Sequence, residues 1–309
     1  MFMKRAVNCG LVKADNMRQA ILLLSFGTPR QPSDLLPYLT SIRRGKIPTE
    51  RELKVLTARY DAIGQWDNKL LQMMGEEQKK TLKSLLAIDA MHLAYLHMPN
   101  SMEQAVESIA AAGYTSILCI VTSPFYSMVG TGAYERKLHS ILRAYPDISC
   151  EIIKSWWNRP QFFEYWRSQL MAANPLQADT ACIFSAHSVP TSTVGSYEDE
   201  VMSASNQIAK MVGLNHWYQA WQSAAPYGEW LGPTIESVIE QALIDGAKRI
   251  VCIPFGFVSD HVEILYDNDI ICRNIVENAG ATYERLPMPN GNTLFMEAMA
   301  KAIRERINK

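Results

Sequence analysis

The chain has 309 residues and is 48% hydrophobic, enough to bury a large core as one big domain or two of ordinary size. Lys and Arg number 30 against 31 Asp and Glu, so a formal charge of −1 excludes the broad basic field of a nonspecific nucleic-acid binder, and any anionic ligand must be met by local cations. The six scattered cysteines fit buried, reduced thiols of a cytoplasmic protein and lack iron–sulfur ligand spacing, and the longest apolar runs are strand-sized, too short to cross a bilayer.

Residues 1–17 carry Lys4, Arg5 and Lys13 around an apolar segment interrupted by Asn8 and Gly10, which argues against a secretory signal, and a disordered tail is expected. The continuous apolar run at 20–24 predicts a central strand closing in the turn-rich Ser25-Phe26-Gly27-Thr28-Pro29. From there to residue 86 the apolar residues recur at helical spacing, a helical insertion over about 30–86. Within it, Ile42-Arg43-Arg44-Gly45-Lys46 forms a basic cluster at a helix end, and Arg59 stands beside Tyr60. Helix C-termini attract cations, so a solvated end and an anion site are both open readings.

Strands follow at 91–96, 116–121 and 151–153, with helices at 101–112 and 131–145 between them. After Trp156-Trp157 the alternation restarts: helix 160–172, a strand ending at His187, helix 198–212, strand 217–221, helix 233–244 and strand 249–253. A helix over 262–278, a strand at 282–286 and a helix at 293–307 complete the chain. The expected fold is α/β, with two similar doubly wound domains, each a four-stranded parallel sheet flanked by helices. Residues 18–153 form the first and 154–309 the second, with the last helix able to pack back on the first.

Two stretches carry chemistry. In Phe-Ser-Ala-His-Ser-Val-Pro (184–190), His187 arrives where a buried strand stops, and ligands bind at that edge of open α/β sheets. Residues 258–269 hold Asp260, His261, Glu263, Asp267 and Asp269; on a helix Glu263 and Asp267 share a face at i and i+4, with Tyr266 beside them. An acidic helix N-terminus capped by Asp260 is the plain alternative. One imidazole plus carboxylates with open positions suits Fe²⁺ or a similar divalent ion, whereas a closed zinc site would need spacings absent here.

The chain resembles the ferrochelatases, which insert Fe²⁺ into a porphyrin in haem synthesis. Seven ordered motifs carry the resemblance: Ser-Phe-Gly-Thr-Pro (25–29), Ile-Arg-Arg-Gly (42–45), Arg-Tyr-Asp-Ala-Ile-Gly (59–64), Ser-Ala-His-Ser-Val-Pro (185–190), Trp-Gln-Ser (221–223), Trp-Leu-Gly-Pro (230–233) and residues 256–269. The resemblance is to the Gram-positive type, which acts on coproporphyrin rather than protoporphyrin. It implies that His187 and Glu263 are catalytic and meet the metal, with Asp267 an outer acid on the ion's path. It also implies that Phe26, Arg43, Arg59 and Tyr60 lie near the macrocycle or its propionates. Fe²⁺ is then a substrate, with no cofactor permanently bound. The partners expected are porphyrin, Fe²⁺ and a transient haem acceptor, and the protein is expected to be a cytoplasmic monomer without nucleic-acid or transmembrane function.

Four departures stand out. Phe26 replaces the usual iron-coordinating tyrosine, so ligation of product from that side is expected to be lost. Phe125 stands where those relatives have a histidine, Ile271 replaces a third acid, and the 64–70 loop is altered. A noncatalytic porphyrin- or haem-binding paralogue is therefore the alternative. A sirohydrochlorin-type cobalt or nickel chelatase would need more site histidines, for which His92 and His97 are the spare candidates.

Overall fold

The computed structural model describes residues 18–66, 70–225 and 227–307. The expected tail at 1–17 and the middle of the altered loop, 67–69, lie outside the described residues.

The first half runs β1 (Gln19–Ser25), α1 (Leu35–Ile42), α2 (Glu50–Ala62), α3 (Leu70–Leu86), β2 (Met91–Tyr95), α4 (Ser101–Ala111), β3 (Ser116–Val121), α5 (Thr131–Leu142) and β4 (Ser149–Ile153). The second runs α6 (Pro160–Ala172), β5 (Thr180–His187), α7 (Tyr197–Val212), β6 (Trp217–Gln222), α8 (Ile235–Ile244) and β7 (Arg249–Ile253). A π-helix (Glu263–Cys272), α9 (Arg273–Asn278), β8 (Thr282–Arg285) and α10 (Thr293–Ile307) follow.

Both sheets are parallel throughout, ordered β2-β1-β3-β4 and β6-β5-β7-β8. In each, the chain leaves the first strand to one side, returns, and continues on the other. That reversal opens a crevice beyond the strand ends between β1 and β3, and between β5 and β7. The last residue of β5 is His187 and the connection after β7 leads into Glu263, so topology alone brings these two to one crevice.

Alternation along the strands divides the core. In β1, Ile21 and Leu23 face a large cluster shared by both halves, while Ala20, Leu22 and Leu24 face helices α4 and α5. In β5, Cys182, Phe184 and Ala186 enter the same shared cluster, and Ala181 and Ile183 face α8. Each fully buried large side chain adds about 1.5–3 kcal/mol. Helix α10 contributes Phe295, Met296 and Met299 to the shared core and packs on α3 and α6, with Arg304 donating to the Leu85 carbonyl at 2.8 Å. The C-terminus thus fastens the second half to the first.

The helix expected at 262–278 is present, but its first ten residues wind as a π-helix before α9 continues. The Arg273 amide reaches back five residues to the Asn268 carbonyl. Such wide turns are rare and concentrate at functional sites.

Candidate active site

The end of β5 is held on every side. Ser185 and Asn268 both donate to Gln222 Oε1, at 2.9 and 3.2 Å, Ser188 donates to the Leu231 carbonyl at 2.8 Å, and Tyr197 donates to the His187 carbonyl at 3.0 Å. Behind it lies Gly256, where a Cβ would come within 2.5 Å of the Ala186 Cβ and 2.6 Å of its Cα. Only glycine lets the loop after β7 approach β5 this closely.

His187 Nδ1 lies 2.5 Å from the Ser188 carbonyl, which can only accept, so Nδ1 carries a proton and Nε2 is turned to Glu263 Oε1 at 3.6 Å. His261 repeats the device: Nδ1 donates to the Ser259 carbonyl at 2.9 Å and Nε2 lies 3.4 Å from Glu263 Oε2. The carboxylate is therefore held between two imidazoles. Burial pushes the His187 pKa down, but the Glu263 charge and hydrogen bond outweigh it and raise it to about 9. Burial raises Glu263 in turn, and the two imidazoles pull it well below the usual carboxylate range. The side chains remain 40% and 25% exposed, so the pair is open to water.

Asp267 follows along the π-helix. It forms an ion pair with Arg59 from the last turn of α2 and accepts from Ser223 at 3.2 Å. Burial raises its pKa, the Arg59 charge opposes this, and Glu263 adds to the rise. Arg59 also stacks over the Tyr266 ring at 4.8 Å, so one guanidinium links the halves across the crevice.

The first-half residues occupy different depths. Arg43 closes α1 and pairs with Glu52, which also completes the capping box of α2 with Thr49. Its Nε and that of Arg59 are buried without hydrogen-bond partners among the described residues. Tyr60 is 1% exposed; its ring packs near Trp66 and its hydroxyl faces Tyr38 and Thr28, so it reaches the crevice through neighbours. Phe26, 46% exposed, contacts Tyr38 and His97. The Glu263 charge adds to the rise in the pKa of both the Tyr38 and the Tyr60 phenol, after burial, so both lie within its electrostatic reach. Phe125 is buried among Trp157, Phe162, Tyr197 and Phe255 and forms core instead of crevice.

His261 is the residue that sequence reasoning passed over as a candidate. It stood two positions before Glu263 in the acidic stretch, but its inward turn depends on the local Ser259 bond.

Two facing four-stranded parallel sheets with chemistry at a switch point define a chelatase-type architecture. The sirohydrochlorin chelatase SirB from Bacillus subtilis subspecies spizizenii, solved with cobalt, superposes with a TM-score of 0.62 over 94% of this chain and 95% of that one, at 10% identity. CbiX, the terminal enzyme for biosynthesis of siroheme in denitrifying bacteria, gives 0.53 over 93% and 98%, at 14% identity. These likenesses are of fold. The ferrochelatase family model matches residues 18–307, and the chain belongs to that family of metal-inserting enzymes of haem biosynthesis. The coproporphyrin III ferrochelatase of Geobacillus kaustophilus (strain HTA426) is 33% identical over 302 residues, 93% of this chain and 95% of its own. That of Staphylococcus aureus (strain Mu50 / ATCC 700699) is 31% identical over 306 residues, 93% and 98%. Among the described residues, no helix is long and apolar enough to cross a membrane.

Proposed function

We propose that this chain inserts Fe²⁺ into coproporphyrin III, with His187 and Glu263 as the catalytic pair. The observation that carries the reading is the imidazole–carboxylate pair at 3.6 Å where the β5 and β7 loops meet. Metallation replaces the ion's water with ring nitrogens and releases two pyrrole protons, so the site must take up protons without repelling a dication. The resting pair holds one proton. Glu263, touching both imidazoles, can pass it from His187 to His261 and on to solvent, leaving His187 Nε2 with a free lone pair beside the reacting centre.

The preference for coproporphyrin, named for the relatives, is consistent with a ligand richer in propionates meeting the buried, unpaired Nε donors of Arg43 and Arg59. Asp267 serves as an outer acid on the metal path once Arg59 turns to a propionate. We further expect a cytoplasmic monomer without a resident cofactor that hands its product to a transient haem acceptor.

The test is anaerobic mixing with Fe²⁺ or Zn²⁺ and each porphyrin, followed by loss of porphyrin fluorescence. Coproporphyrin should be metallated in preference, and His187→Ala should slow the reaction by about 10²–10⁴-fold. Tight porphyrin binding without metallation would identify a haem-binding paralogue instead, and metallation of protoporphyrin alone would refute the substrate assignment.

A further inference from the structure

The acidic stretch before the π-helix does not cap it. Val262 takes the cap position with no side-chain hydrogen bond, and Asp260 turns instead to Arg285, the last residue of β8, with which it forms an ion pair at 3.2 Å. The same guanidinium meets Asp269, in the middle of the π-helix, through both oxygens: Nε donates to Oδ1 at 2.7 Å and a terminal nitrogen donates to Oδ2 at 2.8 Å. The side chains of Arg285 and Asp260 are each 14% exposed and that of Asp269 is 24% exposed, so the pairs lie largely out of water. One fork therefore ties the approach to the π-helix to its centre.

Asp260 passes this hold on to His261. Its second oxygen accepts from Asn290 Nδ2 at 2.8 Å, and its backbone N–H donates to Asn290 Oδ1 at 2.9 Å. That N–H belongs to the peptide group whose carbonyl, that of Ser259, accepts from His261 Nδ1 at 2.9 Å. A peptide group is planar, so fixing its N–H fixes its C=O. The Asn290 backbone N–H adds a bond to the Val258 carbonyl at 2.9 Å. From there the line is short, because His261 Nε2 lies 3.4 Å from one oxygen of Glu263 and His187 Nε2 lies 3.6 Å from the other. Arg285 stands on the edge strand, with β7 between it and β5, and reaches the pair through the backbone it holds.

We propose that Arg285 is a positioning residue for metal insertion: by joining Asp260 to Asp269 it sets the spacing between the His261 loop and the π-helix, and so the place of Glu263 between its two imidazoles. The proposal rests on the reading of His187 and Glu263 as the catalytic pair. Misplacing a reacting group by about 1 Å costs about 10²-fold in rate. The arginines assigned to the porphyrin, Arg43 and Arg59, belong to the first half, so binding of the ring and the rate of insertion should separate.

The experiment uses the whole chain with coproporphyrin III and Zn²⁺, followed by porphyrin fluorescence. Alongside it, NMR of the ligand-free protein at one fixed pH reads the ring signals of His187 and His261, each assigned by its loss in the alanine variant. Arg285→Met alone leaves two largely buried carboxylates uncompensated and should melt early, whereas Arg285→Met with Asp260→Asn and Asp269→Asn removes all three charges together and should melt near wild type. In that triple variant kcat should still fall about 10- to 100-fold, KM for the porphyrin should stay within about twofold, and both ring signals should move. Arg285→Lys keeps the charge but not the fork and should show the same split with a smaller fall; it decides the matter if the triple variant does not fold. A wild-type kcat, a rise in KM in place of a fall in kcat, or unmoved ring signals would each overturn the proposal. If wild type metallates no porphyrin, the catalytic reading fails, and the ring signals alone decide whether Arg285 positions Glu263.

Discussion

Replacing Glu263 by Gln keeps the shape of the side chain and removes the charge that holds a proton on His187. At 3.6 Å, two unit charges interact by about 1 kcal/mol in bulk water and about 4–5 kcal/mol at an effective dielectric of ~20. Because the side chains are 40% and 25% exposed, solvent screening favours the lower half of that range, about 1–2.5 kcal/mol. At about 1.4 kcal/mol per pH unit, the His187 midpoint should fall by about one to two pH units from its value of about 9. With six histidines in the chain, the His187 ring signal can be assigned by its disappearance in His187→Ala and then titrated by NMR in wild type and Glu263→Gln. A midpoint that stays put or rises in Glu263→Gln would refute the pairing as the source of the perturbation.

The same pair makes stability depend on pH. Since the folded His187 value lies above the ordinary one, its contribution is complete below about pH 6.5 and lost as pH rises through about 9. Glu263 is depressed, so its contribution is present above about pH 4.5 and lost on acidification below that. Thermal melts should show wild type losing stability between about pH 6.5 and 9, a decline that His187→Ala lacks.

Arg59→Met leaves Asp267, whose side chain is 12% exposed, without its counter-charge; denaturant unfolding should register a loss of about 2–3 kcal/mol, and adding Asp267→Asn should recover part of it. Gly256→Ala drives a methyl into the backbone of Ala186, at a cost of about 1–3 kcal/mol in unfolding experiments, with activity falling further than stability because the strand end carrying His187 is displaced. Wild-type product should show no phenolate-to-iron charge-transfer band, and Phe26→Tyr, at a side chain 46% exposed, should introduce one; the band in wild type would contradict the role given to Phe26.

Much of this was readable because the relevant signals are local. The strands are apolar runs buried on both faces, as parallel strands between helices must be, and their ends are marked by small residues and proline. His187 was marked by where its strand stops. The winding of Glu263–Cys272 was not readable, since Ile264, Asn268 and Cys272 form an inward row at a spacing of four that suits an α-helix as well as a π-helix. The Arg59–Asp267 pair joins residues 208 apart, and no local pattern specifies such a contact. Arg43 is an intermediate case. The Thr-x-x-Glu box at 49–52 caps α2, but that Glu52 also holds Arg43 depends on the turn between the two helices.

The charges in the crevice determine how metal and protons must move together. In the resting protein Glu263 is balanced by His187 and Asp267 by Arg59, so an arriving dication meets two compensated pairs and no free carboxylate. Fe²⁺ can gain from Glu263 only if the proton on the pair departs, because an imidazolium beside a dication is repelled. Metal binding and proton release are then one coupled event, and affinity for the ion must rise with pH until His187 is neutral, near pH 9. His261 on the far oxygen of Glu263 gives that proton a second imidazole to move to.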